Sequence, residues 1–160
     1  MVLDPISALS AVSTILNIVD KVAGQFQRFR KKEPEPAVET PHKVIAQKED
    51  GKILVRREGQ VVDQITANDL QKLDENSRAL IGALEQSMQK KFRLWTIVYP
   101  QRDTSPDPLR NAQVEEQLTD LAKGMCSDLD KIFRYLDSIG KYLEDHYNHV
   151  RSICYEIKRE

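Results

Sequence analysis

The chain is poor in the residues from which most catalytic and cofactor-gripping sites are built. Of its 160 residues three are histidine and two are cysteine, and its six glycines fall singly. Scattered glycines leave no glycine-rich loop to cradle a phosphate. Aromatic residues make up 6% of the chain. That scarcity, beside many Leu, Lys, Glu, Gln and Asp, favours helix over sheet. Neither sign of charge prevails: 24 Lys and Arg against 25 Asp and Glu leave a formal charge of -1. The bulk electrostatic case for a nucleic-acid partner is therefore missing.

Long apolar runs are missing too. The longest uncharged stretch, Pro5 to Val19, has about 15 residues, against about 20 for a bilayer-crossing helix. The N-terminus does not read as a secretion signal. It lacks a basic first region, carries Asp4, and runs into Asp20-Lys21 without a small-residue cleavage site.

What is present begins with Asp4 to Lys32. Asp4 suits a helix N-cap, and Pro5 suits the first helical position, where a missing N–H costs nothing. Ser10, Thr14, Asn17, Lys21, Gly24 and Arg28 recur in steps of four and three as one narrow polar stripe. The rest of the circumference carries Ile6, Leu9, Val12, Ile15, Leu16, Val19, Val22 and Phe26. A helix this apolar must bury itself against a bundle, a membrane surface, or each in turn. Arg28, Arg30, Lys31 and Lys32 crowd its last turn, where cations favour the negative end of the helix dipole.

A length of 160 residues with 40% hydrophobic content suits one domain with a real core. We read a single helical domain over residues 1–160. It comprises an amphipathic helix 1–32, a proline-rich linker 33–42, a β-hairpin or meander 43–65, a helix 66–99, a loop 100–108 and a long helix 109–158. Three prolines make the linker semi-rigid. Asp50-Gly51 between two apolar runs is a two-residue hairpin signal, and Glu58-Gly59 offers a second turn. Thr66 to Asn68 supply N-cap candidates for the second helix, and Asp107-Pro108 repeats the opening start signal for the third. Leu70, Leu73, Leu80, Ile81, Leu84, Met88, Phe92 and Trp95 mark the apolar face of the second helix. In the third, Val114, Leu118, Leu121, Met125, Leu129, Ile132, Leu136, Ile139, Leu143, Val150, Ile153 and Ile157 form one seam. Unbroken, it would span roughly 75 Å, too long for a compact domain. It therefore breaks, at Gly124 or Gly140, or projects as an arm. The expected fold is mainly α: three main helices, the last one long, with the small antiparallel hairpin or meander inserted after the first.

Candidates for chemistry are few. Asp145 and His149 stand four apart on the expected helix and could share a metal, with His146 one step round. No third ligand offers itself, so a solvated polar helix face is the expectation. Cys126 follows Met125 on the seam and reads as a half-buried structural thiol. On one helix, Cys126 and Cys154 would lie roughly 40 Å apart, too far to bridge, which suggests a reduced, intracellular chain. Trp95, Tyr99, Tyr135, Tyr142, Tyr147 and Tyr155 read as core or boundary packing, with an interface as their functional alternative.

Met1 to Ser10, with Ile15 to Val19, resembles the opening of the HeLo and HeLo-like domains. These stand at the N-termini of fungal NLR-type (STAND) proteins and prion-controlled death effectors; the bacterial Bell-type domains are similar in organisation. The resemblance covers about the first 25 residues. It implies a bundle whose N-terminal helix is released on oligomerisation and then attacks a membrane, in a cell-death or immune context. Carried onto this chain, that role falls on Pro5, Ile6, Leu9, Val12, Ile15, Leu16 and Val19. Arg28, Arg30, Lys31 and Lys32 would meet anionic headgroups.

The expectation is thus a non-enzymatic effector that oligomerises and acts on membranes, or alternatively an adaptor module with no membrane activity. The expected partners are a second copy or another protein chain, and an anionic membrane at the inner face of the plasma membrane. No catalytic residue, metal, cofactor, nucleic acid or small-molecule substrate is expected.

Overall fold

The computed structural model describes residues 4–31 and 44–159, with Lys31 described for its backbone alone. Lys32 and the expected linker 33–42 lie outside the described residues. The chain folds as helix α1 (Pro5–Lys31), strands β1 (Val44–Glu49), β2 (Lys52–Arg57) and β3 (Gln60–Thr66), then helices α2 (Ala67–Gln71), α3 (Glu75–Val98), α4 (Pro108–Ser138) and α5 (Asn148–Lys158). One-turn 3₁₀ helices occupy Tyr99–Gln101 and Leu143–Asp145. The protein is mainly helical with a small antiparallel sheet, but the described residues form five α-helices rather than three main ones.

Local signals set the boundaries. Asp4 accepts from the Ser7 amide at 2.7 Å and starts α1. Asp50 and Gly51 both take positive φ, as do Glu58 and Gly59. Two successive residues of that hand match the twist of the flanking strands, so both turns hold tight hairpins. The meander has three strands in the order β1-β2-β3, with an irregular register at Val55/Arg56. Thr66 closes a reciprocal capping box with Asp69, which begins α2. The expected continuous helix 66–99 is interrupted, because Asp74 caps a second start through the Ser77 amide at 2.7 Å. Leu80, counted on the buried face, is instead 50% exposed.

The long helix also breaks, and Gly140 is the point. The Lys141 amide donates to the Leu136 carbonyl at 2.9 Å and the Gly140 amide to the Asp137 carbonyl at 3.0 Å. With Gly140 at φ +84, this is a Schellman stop, which a Cβ would strain. Gly124 stays helical for a different reason. A Cβ there would lie 3.0 Å from the Lys91 side chain, so the glycine gives that lysine passage to Asp128. Lys91 Nζ donates to Asp128 Oδ2 at 2.9 Å and to Ser87 Oγ at 2.8 Å, and Ser87 Oγ donates to Asp128 at 2.8 Å. Asp128 is 5% exposed. Lys91→Met would strand its charge, and we expect urea unfolding to show a loss of about 2 kcal/mol, largely restored in Lys91→Met/Asp128→Leu.

Packing follows from these starts and stops. Helix α1 lies at the centre, touching the sheet and all four other helices. Its C-terminal half meets the end of α3, where Phe26 and Phe29 set their edges on Trp95 and Tyr99 stacks on it. Trp95 Nε1 donates to Gln25 Oε1 at 2.7 Å. The sheet docks edge-on: the Ala46 amide of β1 donates to Asp20 Oδ2 at 3.0 Å, and Lys48 Nζ to Ser10 Oγ at 2.8 Å. Helix α5 turns back on α4, and that reversal brings Cys154 to Cys126.

Candidate functional site

The residues expected to touch a membrane are placed in the core. Leu9, Val12, Ile15, Leu16 and Val19 are between 0% and 3% exposed, whereas Ile6 is 70% exposed near the start of α1. The apolar arc is real, but it is spent on the protein interior except at Ile6. Among the described residues, α1 is long and apolar enough to cross a membrane by length and composition. That corrects the reading that it falls short, since the helix continues apolar past Asp20 to Val22, Ala23 and Phe26. Arg28 and Arg30 are half-buried near its C-terminal end.

Cys126 and Cys154 form a disulfide, with their Cα atoms 5.5 Å apart. The expectation of two separate, reduced thiols is overturned. It assumed one continuous helix, and the reversal at Gly140 removes the roughly 40 Å that such a helix would impose. Cys126 is 1% exposed and Cys154 3%, so the bridge lies inside the core.

The break also dissolves the proposed metal pair. Asp145 ends a 3₁₀ turn and His149 lies in α5, so they no longer share one helix face. Among the described residues no three His, Cys, Asp or Glu side chains could hold a metal ion together. His146 Nε2 instead lies 3.9 Å from Asp63 Oδ2, beside Lys141, which reaches Asp63 at 3.7 Å and Asp69 at 3.6 Å.

Behind these residues is a cavity of about 400 Å³ between α1, the β1–β2 hairpin and residues 145–150. Asp20, Arg57, His146, Tyr147 and His149 line it, with Ala23, Val44 and Val150 as its apolar wall. Burial raises the Asp20 carboxyl from 3.8 to about 7, opposed by the hydrogen bond from the Ala46 amide. Tyr147 is 1% exposed, its hydroxyl has no hydrogen-bond partner among the described residues, and burial together with the charge of Asp20 pushes its pKa well up. Arg57 is turned elsewhere: its Nη2 donates to the carbonyls of Asp145 and His146, both at 3.3 Å.

Sequence reasoning missed Asp20 as a site residue. The signal was there: Asp20 follows Leu16 by four and precedes Ala23 by three, on the buried face. Tyr147 was read as packing, which its burial bears out, while Tyr142 and Tyr155 are exposed at 44% and 64%. Trp95 and Tyr99 are core. No family model, no curated protein and no solved structure matches the chain.

Proposed function

We propose that the chain is a non-enzymatic helical effector domain that assembles with copies of itself and reaches a membrane through α1. The observation that carries this reading is the double character of α1, which is apolar enough to span a bilayer yet stowed in the core. The two uses exclude each other. Burying five such side chains is worth about 8–15 kcal/mol. That is comparable to the whole stability of a domain, so α1 leaves only if lipid replaces the core it loses. Ile6, already exposed, is the first contact, and Arg28 and Arg30 follow at anionic headgroups. The cytoplasmic face of the plasma membrane is the proposed location. Both sulfurs are deeply buried, and thiol exchange requires access.

A second reading, an adaptor module that keeps α1 packed throughout, is favoured by the near-complete burial of Leu9 to Val19. Trp95, the one tryptophan, separates the two readings because its neighbours Phe26, Phe29 and Gln25 all belong to α1. With the chain oligomerised on anionic vesicles, the effector reading expects dye leakage and a several-fold rise in acrylamide quenching of Trp95. Unchanged quenching without leakage would leave only the adaptor.

A further inference from the structure

We infer that the cavity beside Asp20 is a binding site for a small organic amine, held as its ammonium by the Asp20 carboxylate. Its volume of about 400 Å³ falls in the range of small-molecule sites. On its wall the Asp20 carboxylate receives one hydrogen bond among the described residues, on Oδ2 from the Ala46 amide, which leaves Oδ1 unmet. The Tyr147 hydroxyl is too deeply buried to be reached from the cavity.

The charge around the cavity selects the ligand's sign. Glu58 and Asp145 add two carboxylates to that of Asp20, against the single guanidinium of Arg57, which is turned to the carbonyls of Asp145 and His146. An anion would face three carboxylates. A metal ion finds no cluster of three ligands among the described residues. An ammonium carries three donors and a positive charge, to which the Asp20 carboxylate offers an acceptor oxygen and the opposite charge. The apolar wall of Ala23, Val44 and Val150 suits a hydrocarbon body behind that head.

Because the ligand binds the ionised carboxylate, its affinity follows the charge of Asp20. With the carboxyl titrating at about 7, binding is about tenfold tighter at pH 8 than at pH 6 and falls further below. His146 and His149 line the same cavity.

The test uses the full, oxidised chain with three probes, benzylamine, tryptamine and putrescine, and benzyl alcohol as the uncharged control. The ¹⁵N amide signal of Ala46 reports on Asp20 directly, through their hydrogen bond. At least one amine is expected to shift it saturably, with the stated pH dependence, and benzyl alcohol is not. Asp20→Asn should weaken binding at least about tenfold while its spectrum stays folded. The site is overturned if all three amines leave Ala46 unmoved at about 10 mM, a concentration above any Kd that marks a specific site. It is equally overturned if benzyl alcohol binds as well as benzylamine, or if Asp20→Asn binds the amines undiminished.

Discussion

Reduction of the Cys126–Cys154 bridge, or its replacement in Cys126→Ala/Cys154→Ala, lowers the melting temperature by about 10 °C. The bridge closes a loop of 28 residues in sequence. In the chain-entropy treatment a loop of that length restricts the unfolded ensemble by about 3.5 kcal/mol. A domain of this size shifts by about 2–4 °C per kcal/mol, which gives the figure above. The fold should survive, because α5 also buries Val150, Ile153 and Ile157, and Lys158 pairs with Asp130 of α4. The loss should therefore be uneven. Hydrogen exchange is expected to quicken most in α5, where the tether is removed, and least in α1 at the centre of the core. Scanning calorimetry with and without reductant checks the first part, and exchange measured by NMR the second. An unchanged melting temperature would mean that the reduced unfolded chain is already as restricted as the bridged one.

The second large effect is a gain. Asp20→Asn is expected to stabilise the protein at neutral and alkaline pH. The folded protein raises the Asp20 carboxyl from 3.8 to about 7 because it is mostly buried. The unfolded chain thus releases its proton first, and the native state is favoured fully below about 3.8. Between about 3.8 and 7 that advantage falls steadily as pH rises, and above 7 it is gone. Asparagine keeps an oxygen for the Ala46 amide and carries no charge to bury. The stability difference between Asp20→Asn and the parent chain should be about 2–3 kcal/mol larger at pH 8 than at pH 5. Urea denaturation at the two pH values measures it. A difference that does not change with pH would show that Asp20 is as well solvated folded as unfolded.

These two predictions concern the features least visible in the sequence. By itself the sequence determined the elements whose causes are local. Asp4-Pro5 and Asp107-Pro108 started helices, Asp50-Gly51 and Glu58-Gly59 turned hairpins, and Thr66 with Asp69 closed a capping box, because each acts within a few residues. The apolar seams were legible for the same reason, since helical period is written along the chain, and the seam from Val114 to Ile157 is buried almost throughout. Gly124 and Gly140 looked equally able to end the long helix. Only packing separated them: one glycine makes room for Lys91, and the other adopts the positive φ of a helix stop. From that one choice follow the reversal of α5, the meeting of Cys126 with Cys154, and the separation of Asp145 from His149. The position of Asp20 against the edge of β1 was likewise decided by tertiary structure, because its partner Ala46 lies 26 residues away. Contacts between residues distant in the chain depend on where every intervening element stops, and no local pattern records that.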